Sequence, residues 1–106
     1  MAFTPQTLNA FEMNSRLAAV ETPAKREFHK AFVGVYPPSR EHRLQQWRVR
    51  RFEVPTKFLD VCVGEEELVD SQLVKLDSID SVEALLNSWG IDSSTLDAPW
   101  KCNYPL

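Results

Sequence analysis

The sequence has little glycine, little cysteine and no long apolar run. Glycine accounts for only 3 of 106 residues, which leaves little material for the glycine-rich loops that bind phosphate groups. Cys62 and Cys102 do not form a metal or redox pair motif, so we expect ordinary thiols in a reducing compartment. The longest apolar run, Ala31–Tyr36, is far shorter than the roughly 20 residues that cross a bilayer.

The remaining composition is that of an ordinary globular protein. Apolar residues make up 43% and charged residues 25% of the chain, and a chain of about 100–200 residues typically forms one domain. The N-terminal segment lacks the basic and apolar regions of a signal peptide. We therefore predict a single domain over residues 1–106, soluble and cytoplasmic, with no membrane partner.

Helical signals dominate the first third of the chain. Thr4-Pro5 is typical of a helix start, and apolar residues follow it at helical spacing as far as Val20. Thr22-Pro23 repeats the start signal. It predicts a second helix over Pro23–Phe32, which has two phenylalanines one turn apart.

Alternating patterns and one amphipathic segment follow. Leu44–Val54 alternates as strands do, Leu68–Leu76 is a second strand candidate with several apolar residues, and a turn between them predicts an antiparallel pair. Ser81–Trp89 has one apolar stripe, with Asp80 placed to begin a helix and Gly90 placed to end it. The sequence therefore predicts an α+β fold with N-terminal helices, a small antiparallel sheet and one C-terminal amphipathic helix packed on the sheet.

Patterns that carry catalysis or metal binding are weak in this sequence. The histidines and cysteines do not have the close-paired spacing of a zinc site, and Asp77, Asp80 and Glu83 do not have the alternation of a calcium loop. We predict no enzyme, no metal, no cofactor and no small-molecule substrate. The pair His29 and His42, of a kind found in ribonucleases, leaves one enzymatic alternative open.

The predicted strand Leu44–Val54 carries a second alternative. Arg48, Arg50 and Arg51 adjoin Trp47 and Phe52, and interleaved basic and aromatic residues can bind a phosphate backbone and stack bases. The net charge of −3 argues against this, because nucleic-acid-binding domains are usually strongly basic. A solvated strand face, whose arginines pair with acids, is the simpler interpretation.

Charge is distributed unevenly along the chain. Residues 1–60 hold ten Lys and Arg against six acids, whereas residues 61–106 hold two Lys against nine acids. Clustered carboxylates can attract a basic protein partner and speed its association. The predicted partner-binding residues are carboxylates of this second part and two aromatic residues of the tail: Glu65, Glu66, Glu67, Asp70, Asp77, Asp80, Trp100 and Tyr104.

Four segments between Arg48 and Leu106 carry a family resemblance. They are Arg51-Phe52-Glu53-Val54, Glu67-Leu68-Val69-Asp70, Ile79–Ile91 and Asp97-Ala98-Pro99-Trp100-Lys101-Cys102-Asn103-Tyr104-Pro105-Leu106. In these segments the chain resembles the immunity proteins of contact-dependent growth inhibition, which belong to bacterial polymorphic toxin systems. The resemblance covers just over half of the chain.

The resemblance implies a function in toxin neutralisation. Such an immunity protein binds the C-terminal nuclease domain of its cognate toxin, here expected to be an RNase or tRNase, in the cytoplasm and blocks its basic nucleic-acid cleft. The family has no catalytic motif, so no active-site residue is carried over. Because a nuclease must be basic around its cleft, the carboxylates of residues 61–106 agree with this expectation.

Overall fold

The computed structural model describes residues 3–14, 16–38, 46–58, 68–102 and 104–105. They form an α+β fold with one four-stranded antiparallel sheet, strand order β1-β2-β3-β4, and two α-helices. The predicted α+β class with an antiparallel sheet is therefore confirmed, whereas the predicted arrangement with several N-terminal helices is matched only in part. The helices and strands are, in chain order, α1 (Pro5–Asn14), β1 (Ala18–Thr22), β2 (His29–Tyr36), β3 (Trp47–Pro55), β4 (Val69–Leu76) and α2 (Ile79–Ser88).

Helix α1 begins where the sequence predicts. The Thr4 hydroxyl accepts a hydrogen bond from the Thr7 backbone N–H at 3.3 Å, and Pro5 is the first helical residue. The helix is shorter than predicted, because Val20 belongs to strand β1 and not to a continuing helix. In β1, Val20 lies opposite Val33 of β2. The pairing of two buried strands therefore decides the structure of a segment whose spacing alone favours a helix.

The predicted helix over Pro23–Phe32 is wrong. Residues 25–28 form a turn and β2 follows them, so the β1–β2 hairpin replaces a helix. Phe28 is 82% exposed in the turn with a φ of 58°, whereas Phe32 is buried in β2. The two phenylalanines therefore share no helical face. Thr22-Pro23 resembles a helix start only because the same residue types also begin turns.

The predicted strand pair is confirmed as β3 and β4, which pair antiparallel. Residues 44 and 45 of the first predicted strand lie outside the described residues, and β3 runs from Trp47 to Pro55. Its side chains alternate as predicted. Val49 packs with the two helices, whereas Phe52 and Val54 pack on the opposite face of the sheet.

Helix α2 matches its prediction apart from its first turn. Its N-cap is Ser78, whose hydroxyl accepts from the Ser81 backbone N–H at 3.2 Å, and not Asp80. At the other end Gly90 has a φ of 75°, and the backbone N–H of Ile91 donates to the Leu86 carbonyl at 2.9 Å. This is the left-handed C-terminal cap that the glycine predicts.

Hydrophobic residues pack on both faces of the sheet. On the helix face, α1 and α2 cover one end of the sheet, which we call its upper part. There Val35 and Val49 belong to one buried cluster with Leu86 and Phe11. On the opposite face, which we call the tail face, Phe32 and Phe52 contact residues of the C-terminal segment.

The C-terminal segment joins the two faces around the β1 edge. Leu96 is buried in the helix-face cluster and accepts a hydrogen bond from the Thr7 hydroxyl at 3.0 Å. Asp97 then pairs with Ala19 of β1, and Cys102 and Tyr104 pack on the tail face. This pairing covers part of an otherwise open edge strand. Among the described residues, neither helix has the length and apolar character to span a membrane.

Candidate functional site

The predicted carboxylates that the structure describes lie on β4, just after it and in the first turn of α2, and they do not form one cluster. Glu65, Glu66 and Glu67 lie outside the described residues. Asp70 lies near the start of β4, and Asp77 follows its end. At about 3.3 Å of rise per residue, Asp70 and Asp77 are about 20 Å apart along the strand. Asp80, in the first turn of α2, lies at the same end as Asp77.

Asp70 is held by an ion pair that crosses the sheet. It occupies an irregularity in the β3–β4 pairing with a φ of 52°, a left-handed conformation that aspartate tolerates better than most residues. Its carboxylate accepts a hydrogen bond from the Arg26 guanidinium at 2.6 Å. This hydrogen bond, followed by the charge of Arg26, holds the pKa of Asp70 below its ordinary value.

Strand β4 is the exposed edge of the described sheet. Four consecutive residues of this eight-residue strand, Asp70 to Leu73, are exposed to solvent, and the exposed fraction of Leu73 is 52%. Leu73 lies opposite Arg50 and therefore belongs to the tail face. We define the β4 surface as four residues along this edge and just beyond it: Asp70, Leu73, Asp77 and Asp80. It has an apolar centre with carboxylates at both ends.

The two predicted aromatic residues lie away from the β4 surface. Trp100, in a short 3-10 helix over Pro99–Lys101 that contacts β1, is 64% exposed. It therefore lies on the β1 side of the sheet. Tyr104 packs on the tail face between Phe32 and Phe52. Burial, reinforced by the adjacent hydroxyl of Tyr36, raises the pKa of Tyr104 well above its usual range.

The three arginines of the nucleic-acid alternative are divided between the two faces of the sheet. On the tail face, Arg48 lies over the Tyr36 ring and Arg50 over the Phe52 ring, at 5.2 Å and 5.9 Å from their centroids. Arg51 points to the helix face. The three side chains therefore do not form one basic strip of the kind that follows a phosphate backbone.

A groove opens on the helix face where the helices end. It has a volume of about 1010 Å³, and its floor includes Val33 of β2 and Arg51 of β3. The end of α2, from Trp89 to Asp92, forms one wall, and the β1–β2 turn forms another. A site of this size is in the upper range for small-molecule pockets.

Helix length explains why the groove exists. A ten-residue helix such as α2 is about 15 Å long, whereas the nine residues of β3 extend about 30 Å. The helices therefore leave the lower half of the helix face uncovered. No pattern in the sequence was assigned to this groove, although the predicted lengths of the Ser81–Trp89 helix and the Leu44–Val54 strand already differ in this way.

A charged network fixes the lower wall of the groove. The buried carboxylate of Glu53 accepts hydrogen bonds from the backbone N–H groups of Lys25 and Arg26, at 3.2 Å and 3.3 Å. The Arg26 guanidinium lies 3.6 Å from Glu53 and 2.6 Å from Asp70. These contacts hold the β1–β2 turn over the sheet, and the charge of Arg26 offsets one of the two carboxylate charges.

Arg51 is the cation at the centre of the groove. Its guanidinium carbon lies 4.2 Å from the centroid of the Trp89 ring, and its Nε donates to the Gln72 side-chain oxygen at 3.0 Å. The ion pairs of the described residues involve Arg26, Lys30 and Lys101, and Arg51 takes part in none of them. The two terminal nitrogens of Arg51 therefore keep their donors available to a ligand.

The structure describes only one member of the His29 and His42 pair and only one of the two cysteines. The His29 ring nitrogen Nδ1 lies 2.7 Å from the Glu27 carbonyl oxygen. Cys102 is a free thiol whose pKa is raised by burial. Their sequence counterparts, His42 and Cys62, lie outside the described residues. No protein-family model, curated protein or solved structure matches the chain.

Proposed function

We propose that this chain is an immunity protein that binds the nuclease domain of a cognate contact-dependent toxin and blocks its basic nucleic-acid cleft. The contact would be made through the β4 surface. The proposal joins the family resemblance of Arg48–Leu106 to one structural observation, which is the exposed Leu73 on an open edge strand with carboxylates on either side.

The arrangement of the β4 surface suits a protein partner. Specific interfaces have an apolar centre that is buried on binding and a polar rim that stays near solvent. Leu73 would provide the centre, and Asp77 and Asp80 would provide part of the rim. Neither of these two aspartates takes part in an ion pair among the described residues, so their charge is available to a basic partner.

The proposal is tested by co-expression with the nuclease domain of a large toxin gene directly upstream of this gene. Rescue of growth, together with a stable complex of the purified proteins, is the expected result. Leu73→Asp should weaken the complex about tenfold or more, as loss of a central interface contact does. Met13→Asp is the matched control, because Met13 is an exposed apolar residue of α1. Leu73→Ala is a second, milder variant in case the first one lowers stability.

The outcomes separate this proposal from its alternatives. Failure of both rescue and complex formation would contradict toxin neutralisation. Equal weakening by Met13→Asp and Leu73→Asp would place the contact elsewhere on the surface. The nucleic-acid alternative predicts instead that the chain alone binds RNA and that Arg48→Gln and Arg50→Gln remove this binding.

A further inference from the structure

We propose that the groove on the helix face binds a small organic acid, with one carboxylate on Arg51 and an apolar body along the floor and wall of the groove. This inference is independent of toxin neutralisation, because Arg51 and the apolar lining of the groove lie on the helix face, and only Asp70 belongs both to the groove and to the β4 surface. It rests on the geometry of Arg51, on the charges around it and on the shape of the groove.

The geometry of Arg51 suits a carboxylate. Contact with the Trp89 ring and the hydrogen bond to Gln72 fix the plane of the guanidinium group. Because Nε is used by Gln72, the pair of terminal nitrogens is the edge that remains for a ligand. This edge forms two parallel hydrogen bonds with a planar carboxylate, a geometry that a lysine does not provide.

The surrounding charges favour a single negative charge. Arg26 is engaged with Glu53 and Asp70, so it does not add to the positive field that a ligand meets. Asp92 lies at the groove with its carboxylate bound by the Ser94 backbone and hydroxyl, at 2.9 Å and 2.8 Å.

Glu21, Glu53 and Lys25 also line the groove, and Glu21 is paired with Lys30 at 3.7 Å. With Arg26 and Lys30 included, four cations balance four carboxylates around the groove, so each negative charge of a ligand adds to the repulsion. A monocarboxylate forms the two hydrogen bonds of Arg51 at a smaller cost than a dianionic phosphate.

The remaining lining of the groove suits an apolar body. Val20 and Val33 contribute aliphatic side chains to the floor, and Ile91 contributes one to the wall. Pockets that bind small organic molecules combine such a lining with a few polar groups that fix orientation. In this groove Arg51 is the group that would fix the orientation.

The test uses the full chain and three kinds of probe. Phenylbutyrate and octanoate are monocarboxylates with apolar bodies, phenylbutyramide is the neutral match of the first, and inorganic phosphate is the dianion. Calorimetry gives the affinities, and the indole N–H resonance of Trp89 reports whether the probe occupies the groove. We expect both carboxylates to bind and to shift this resonance, and the amide and phosphate to bind about tenfold more weakly or not at all.

Matched variants show whether Arg51 is the anchor. Arg51→Gln should weaken carboxylate binding about tenfold or more, and Arg51→Lys should restore only part of it. Arg48→Gln is the control, because Arg48 also lies over an aromatic ring of the same sheet but on the tail face. The comparison of carboxylate with amide on the unaltered chain remains decisive if Arg51→Gln lowers stability.

Four results would overturn the inference. One is that neither carboxylate binds, and another is that the amide binds as tightly as phenylbutyrate. The third is that Arg48→Gln weakens binding as much as Arg51→Gln, which would place the carboxylate on the tail face. Preferential binding of phosphate would show that the groove selects a different anion and would contradict the charge argument.

Discussion

The hydroxyl of Tyr104 lies directly over Gly34, so closely that a Cβ atom at position 34 would stand 2.5 Å from the Tyr104 Oη. The same hydroxyl lies 2.8 Å from the hydroxyl of Tyr36. Gly34 is therefore needed for the space that its missing side chain leaves, since its φ is not in the left-handed region. The contact holds the C-terminal segment on the tail face.

We expect Gly34→Ala to lower the free energy of unfolding by about 1–3 kcal/mol, because the methyl group must displace the buried Tyr104 ring. In a Tyr104→Leu background the same substitution should be nearly neutral, since the smaller side chain leaves room. Denaturant melts of the four proteins of this double-mutant cycle measure the coupling.

Gly90→Ala is the control for this cycle. A Cβ at position 90 meets nothing within 4 Å, and the φ of 75° is its only difficulty. Its cost, roughly 1–2 kcal/mol from backbone strain, should be the same with Tyr104 or Leu at position 104. Equal costs of Gly34→Ala in both backgrounds would contradict the packing argument.

Tyr104 also predicts a dependence of stability on alkaline pH. Its pKa is raised in the folded protein by burial, whereas an unfolded tyrosine ionises near pH 10. The unfolded state therefore loses a proton first, and stability is lost as pH rises above about 10. The slope contributed by this one group should approach about 1.4 kcal/mol per pH unit.

Chemical denaturation across this pH range measures the effect, and tyrosinate absorbance follows the ionisation. Tyr104→Phe should remove this part of the pH dependence, although it also removes the hydrogen bond to Tyr36. Formation of a Tyr104 tyrosinate near pH 10 with the fold intact would show that the ring is more accessible than its packing indicates.

Helix α2 should show a difference between two neighbouring leucines. Leu86 is fully buried in the helix-face cluster, whereas Leu85 is partly buried against it. Leu86→Ala should lower the free energy of unfolding by about 2–5 kcal/mol, as other buried leucines do, and Leu85→Ala by less. Denaturant melts measure both. A loss below about 1 kcal/mol for Leu86→Ala would mean that α2 is not packed on the sheet.

Elements whose signals lie within one segment of the chain are predicted from sequence, and elements that depend on contacts between segments are not. Helix α2 is predicted well because its apolar stripe and Gly90 lie within one segment. The β1–β2 hairpin is missed because it depends on contacts between segments, which are the pairing of β1 with β2 and of β2 with β3. Its short apolar runs fit a helix equally well in one dimension. Only the contacts of the folded chain decide between the two.

The candidate site shows the same limit. Asp70 and Asp77 are only seven residues apart in the sequence. Because an extended strand lies between them, the structure places them at opposite ends of β4. The alternation of β3 correctly places Arg51 on the face of Val49. That Arg51 meets Trp89 there depends on how α2 lies across the sheet, which no local pattern determines.

The charge of the β4 surface gives the last prediction, which rests on the proposed function. Reversing both Asp77 and Asp80 to Lys should slow association with the nuclease domain about tenfold or more at low salt, because it removes the attraction for a basic partner. The reversal should cost about 1 kcal/mol at Asp80, which lies in the first turn of α2 and interacts favourably with the helix dipole, and no more than about 0.5 kcal/mol at the exposed Asp77. Stopped-flow measurements at several salt concentrations follow the association rate. The difference from the unaltered chain should shrink near 1 M salt, where the Debye length is about 3 Å.

The matched control reverses Glu12 and Glu27, two exposed acids of α1 and of the β1–β2 turn. This variant has the same net charge as the first one, so only the position of the charges differs. If association depends on the β4 surface, the control should associate nearly as fast as the unaltered chain. Equal slowing by both variants would show that the partner responds to net charge alone. The carboxylates at the ends of β4 would then not be the ones that the partner meets.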